Sequence, residues 1–115
     1  MELWRIEYYK SPSGQEPISD FIDSLETRVQ VKIMRAFDLL AEFGVALHNS
    51  HTKKLAGAPF WELRIVGSDN IRIFYIAKTG RSFLILHGFK KKRQKTDARE
   101  IKTALGRLNE FNVRK

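Results

Sequence analysis

The sequence predicts a small α+β fold in the order β-α-α-β-β-β-α, a mainly antiparallel sheet with a helical pair on one face and a C-terminal helix. Three observations predict it. Apolar residues recur at three- and four-residue steps in two N-terminal segments and one C-terminal segment. Three short β-prone stretches follow one another between residues 60 and 89. Gly, Pro and Ser clusters punctuate the chain, with no repeat or linker, so its 115 residues suit one domain over 1–115 with a single core.

The first strand falls at residues 3–9, where Trp4, Ile6 and Tyr8 alternate with Leu3, Arg5 and Glu7. Ser11-Pro12-Ser13-Gly14 is a turn cluster. Pro17, tolerated at a helix start, opens a short helix with Ile18, Phe21, Ile22 and Leu25 on its apolar side. A longer helix from about Arg28 carries Val29, Ile33, Phe37, Leu40 and Phe43 and stops at Gly44. Residues 45–59 read as a polar loop holding His48, His51, Lys53 and Lys54. Strands are expected at 60–66, 71–78 and 81–89. Thr96 can cap the last helix, with Asp97 and Glu100 at its positive end and Ile101, Ala104, Leu105 and Leu108 as its buried stripe.

Register decides which polar residues meet. Thr79-Gly80 reads as a two-residue hairpin tip, which pairs Ile76 with Phe83, Phe74 with Ile85, and Arg72 with His87. The reverse face is then Ile71, Ile73 and Tyr75 against Leu84 and Leu86. For the preceding strand, Trp61, Leu63 and Ile65 join that core only if the loop has five residues, 66–70. A four-residue loop would bury Arg64, at a cost of several kcal/mol unless it were paired. The expected outcome is an open face holding Glu62, Arg64, Arg72 and His87, with Lys90, Lys91 and Lys92 at the strand's exit. The last helix covers the apolar remainder.

Charge is segregated along the chain. Residues 1–50 carry five Lys/Arg against eight Asp/Glu, a net of −3, whereas residues 51–115 carry sixteen against five, a net of +11. One-sided positive charge on a small domain is the footprint of a polyanion binder. The absence of cysteine excludes disulfides and thiolate zinc sites and suits a reducing compartment. No stretch approaches the roughly 20 apolar residues of a membrane span, so a cytoplasmic protein without membrane contact is expected. His48 and His51 stand at metal-like spacing without a third ligand; no metal is expected there.

Such a face suits RNA cleavage by the substrate's own 2′-hydroxyl, which needs a base, an acid for the leaving 5′-oxygen and cations for the phosphorane. Arg64 and Arg72 can chelate phosphate oxygens bidentately. His87 is the obvious proton mover, and Glu62 is a base or a countercharge for an arginine. Lys53, Lys54, Lys90, Lys91, Lys92, Arg93 and Lys95 can grip the backbone, and Phe89 can stack on a base.

At Phe60-Trp61-Glu62-Leu63-Arg64, Arg72-Ile73-Phe74-Tyr75 and Leu86-His87-Gly88-Phe89-Lys90-Lys91-Lys92, continuing to Gln94-Lys95-Thr96, the chain resembles the phage-derived Gp49-like branch of the RelE/ParE toxin superfamily, which includes HigB-type toxins. The resemblance covers nearly the whole chain. It implies a RelE-like fold and the toxin of a type II toxin–antitoxin pair. Relatives on the nuclease side cleave mRNA in the ribosomal A site by 2′-hydroxyl attack, with neither metal nor cofactor. It further implies a cognate antitoxin, commonly a helix-turn-helix protein. By motif, Arg64 and Arg72 fall where such toxins keep phosphate-handling arginines, Lys53 and Lys54 match a basic loop position, and His87 with the lysines after it matches the branch signature. Some relatives end in a Tyr or a His–Asp set, but here Asn112-Val113-Arg114-Lys115 holds neither Tyr nor His, so the base stays open between His87 and Glu62. Two rival functions remain: a ParE-like gyrase poison, and a nucleic-acid-binding module that cuts nothing.

Overall fold

Alternating and helical apolar periods can be buried together only if the helices lie on the sheet, and the chain folds that way. The computed structural model describes residues 3–47, 52–65, 67 and 70–114. His48 and His51 lie outside the described residues. The elements are β1 (Arg5–Tyr8), α1 (Pro17–Asp23), α2 (Thr27–Phe43), a 3-10 turn (Gly44–Leu47), β2 (Thr52–Lys54), β3 (Trp61–Arg64), β4 (Ile71–Lys78), β5 (Ser82–Lys90) and α3 (Ala98–Arg114). The sheet runs β1-β5-β4-β3-β2; β1 is parallel to β5 and the other pairs are antiparallel. This is the expected α+β class with one added element. Residues 52–54 lie within the expected polar loop, yet they pair with β3 as a short edge strand.

Two apolar layers sandwich the sheet. On one face Ile18 and Ile22 of α1 and Val29, Ile33, Phe37 and Leu40 of α2 pack on Leu63, Ile73, Tyr75, Phe83 and Ile85. Burying each such side chain is worth about 1.5–3 kcal/mol relative to exposure. On the other face Ala104 and Leu108 of α3, with Ile101 and Leu105 at their margin, pack on Phe60, Phe74, Leu84 and Leu86. Phe83 and Ile85, expected beneath the last helix, lie under α1 and α2, but that helix covers Phe74 and Ile76 as assigned to it from sequence. Its cap differs: the Asp97 carboxylate, not Thr96, accepts the Arg99 backbone N–H at 2.9 Å.

The β3–β4 register is the expected one, with Arg64 opposite Arg72 and Leu63 opposite Ile73. The β4–β5 register is not. Lys78 pairs with Ser82, so the turn has three residues, Thr79, Gly80 and Arg81, the last two at positive φ. Farther on, Tyr75 opposes Ile85 but Phe74 opposes His87, which leaves Leu86 as the extra residue of a β-bulge. The three-residue turn reverses the expected face assignment, and the bulge adds a second shift beyond it: Phe83 and Ile85 join the α1–α2 layer, while Leu84 and Leu86 lie under α3. Arg72 therefore opposes Phe89 rather than His87.

Two glycines let elements approach closely. Gly44 ends α2 at φ +57°, and a Cβ there would lie 2.4 Å from the Trp4 indole nitrogen. Gly88 sits opposite Ile73 where Phe21 of α1 presses on the sheet; a Cβ would meet that ring at 2.7 Å.

A candidate nucleic-acid interface

Antiparallel pairing brings alternate polar residues of three strands onto one face. Lys53 opposes Glu62, and Arg64 opposes Arg72. After β5 the chain turns back over this edge, held by a hydrogen bond from the Lys91 N–H to the Asn70 carbonyl at 2.8 Å. An open cleft results, lined by Lys53, Arg64, Asn70, Arg72, Lys91, Lys92, Arg93 and Gln94. Six cations and two neutral polar residues make its wall, and among the described residues no carboxylate lines it. Lys54 is not part of this wall: its ammonium donates to the Ala58 carbonyl at 2.6 Å.

Glu62 lies beneath the cleft. Its carboxylate is 1% exposed and 3.8 Å from Arg72 Nε, while Oε1 has no hydrogen-bond partner among the described residues. In that position it is a countercharge that orients Arg72. Arg64 is exposed.

His87 shares the sheet face of Arg72 but is tied to α3. Arg107 donates to His87 Nδ1 at 3.2 Å and to the Leu86 carbonyl at 2.8 Å. A guanidinium only donates, so Nδ1 accepts and the ring proton is on Nε2, which donates to Glu100 Oε1 at 2.7 Å. Burial pulls the His87 pKa below its ordinary value of 6.5, the Arg107 charge adds to that, and the bond to Glu100 opposes both. Phe89 is 6% exposed, stacked on His87 at 5.4 Å and edge-on to Phe74 at 4.9 Å. Its ring is already enclosed by neighbours rather than offered to a base.

A second cavity adjoins the first. Phe89, Lys90, Lys91, Lys92, Arg93, Lys95, Asp97, Arg99 and Glu100 line it, so residues 91–93 form a wall common to both. The structure thus brings Arg64, Arg72, Lys53, Lys91, Lys92 and Arg93 together, and places His87 a layer below with Glu100 and Arg107. Sequence reasoning missed that last pair. A signal existed: Glu100, Ala104, Arg107 and Leu108 fall at the three- and four-residue spacing of the inward face of α3, and charged residues within an apolar stripe need partners. Among the described residues, no three His, Asp or Glu side chains converge as a metal site.

A family model for phage derived protein Gp49-like (DUF891) matches residues 20–109. No curated protein matches the chain. The matched span runs from α1 into α3 and contains every charged residue of both cavities, and the chain belongs to the Gp49-like family of phage-derived proteins.

Proposed function

We propose that this protein is the toxin of a type II toxin–antitoxin pair and acts as an endoribonuclease on mRNA at the ribosome. The observation that carries the reading is the cleft of six cations with Arg64 and Arg72 side by side on its floor. Two guanidiniums at adjacent cross-strand positions can hold two oxygens of one phosphodiester, and a phosphorane gains more from them than the ground state does. These fixed cations supply the positive charge that the transition state requires, which supports cleavage by the 2′-hydroxyl without a metal. The surrounding lysines suit docking among ribosomal RNA phosphates. A cytoplasmic setting and a neutralising antitoxin of helix-turn-helix type belong to the same reading.

Inducing the wild-type chain in cells tests it. Growth arrest with fragmented mRNA whose upstream pieces end in 2′,3′-cyclic phosphate is the expected result, with Arg64→Ala tolerated by the host. Arrest with intact transcripts and DNA-damage signalling would overturn it in favour of a gyrase poison. Binding of RNA without any cleavage would leave only a nucleic-acid-binding module.

A further inference from the structure

We propose that Glu100 is the residue that takes the 2′-hydroxyl proton, and that His87 is a positioning residue which holds it. The inference rests on the endoribonuclease reading and names the proton acceptor that reading lacks.

Both ring nitrogens of His87 are committed. Nδ1 accepts from Arg107 and Nε2 donates to Glu100, and the side chain is only 12% exposed. An imidazole held in that tautomer offers no lone pair to a substrate hydroxyl. Glu100 has the complementary position. Its side chain is 24% exposed and lines the cationic cavity beside residues 90–93. A carboxylate has about four acceptor sites, and His87 Nε2–H occupies one of them, so fixing the group does not exhaust it. The other carboxylate on the cavity is already used: Asp97 caps α3 through the Arg99 N–H and pairs with the Arg99 guanidinium at 3.3 Å. Glu62 is sealed beneath Arg72.

The two cavities share Lys91, Lys92 and Arg93, so an RNA strand held by its phosphate at Arg64 and Arg72 can present the adjacent ribose towards Glu100. In the step, the 2′-hydroxyl proton passes to a Glu100 oxygen as the 2′-oxygen bonds to phosphorus. The P–O5′ bond breaks, its electron pair leaves with the 5′-oxygen, and that oxygen takes a proton from a lysine ammonium of the shared wall. Water then returns the proton from Glu100 to the lysine.

The test compares Glu100→Gln, Glu100→Asp and His87→Gln in single-turnover cleavage of mRNA on purified ribosomes, with RNA affinity and thermal melting measured in parallel. Gln at 100 can still accept from His87, so the fold is expected to survive. Its cleavage rate should fall roughly 10²–10⁴-fold, the usual contribution of a general base, with RNA affinity kept. Glu100→Asp should recover part of the rate. His87→Gln should slow cleavage less than Glu100→Gln does, with RNA affinity kept, since Glu100 is then present but no longer held by the ring. A Glu100→Gln protein that cuts within about threefold of wild type, or a His87→Gln protein that cuts more slowly than Glu100→Gln, overturns the inference and spares the nuclease reading. A wild-type protein that arrests growth yet cuts no RNA overturns both.

Discussion

Arg107 donates to Nδ1 of His87, and this one bond between α3 and β5 fixes the tautomer of the ring and so the direction of its second bond, towards Glu100. The same arrangement favours the neutral imidazole, because a proton on Nδ1 would face the guanidinium.

Stability should therefore depend on His87 in mildly acidic solution. Its folded pKa lies below the ordinary 6.5, so its contribution is complete above that value and is lost as pH falls through the folded one. The carboxylates of Glu7 and Glu110 are held below 4.5 by Lys78 and Arg114, and their windows lie lower. Urea unfolding at about pH 7.5 and about pH 5.5 should show wild type losing stability with acid, and His87→Gln losing less. Equal losses in the two proteins would refute the assignment.

Arg72 and Arg64 should separate in stability although both face the cleft. Removing Arg72 leaves the buried Glu62 carboxylate without the guanidinium it pairs with, a loss of about 1–3 kcal/mol. Arg64→Ala, at an exposed position, should stay within about 0.5 kcal/mol of wild type. Adding Glu62→Gln to Arg72→Ala should restore part of the loss, since it removes the stranded charge. Denaturant melts of wild type, Arg64→Ala, Arg72→Ala, Glu62→Gln and the double variant check this, and additive effects of Arg72→Ala and Glu62→Gln would count against it.

Salt dependence of RNA binding reports which cations touch phosphate. For a single strand the logarithmic slope falls by about 0.7 for each phosphate left without its cation. Lys91→Ala and Lys92→Ala should each weaken binding and flatten the slope by about that amount. Lys54→Ala should leave the slope unchanged, because its ammonium is bound to the Ala58 carbonyl.

Gly88→Ala should destabilise the fold by about 1–3 kcal/mol, the usual cost of overpacking, because the new methyl would press on Phe21 and Ile73. Combining it with Phe21→Leu should relieve part of that loss in thermal melts. No relief would mean that Phe21 is not the obstacle.

Sequence resolved registers wherever a charge could veto an alternative. Arg64 would be buried by the shorter loop, and the structure pairs it with Arg72 as expected. No such veto exists in β5. Phe83, Leu84, Ile85 and Leu86 are all apolar, so a one-residue slip changes faces without stranding a polar group, and the bulge at Leu86 left no mark in the pattern. The edge strand Thr52–Lys54 was hidden for a related reason: three polar residues carry no period. The arginines of the cleft were legible because strand alternation alone places them. Glu100 was not, because near a helix start a glutamate is explained by the helix dipole before any partner is sought.

The division of charge along the chain has a consequence in motion. The acid-rich N-terminal half supplies α1 and α2 on one side of the sheet, and the arginine cleft opens on the other. Such a body carries a permanent electric moment across its thickness. In the field of a polyanion it experiences a torque before it touches anything, so it turns its cleft forward during approach. Collisions in the wrong orientation become rarer, and raising the ionic strength would blunt the guidance earlier than it loosens the final grip.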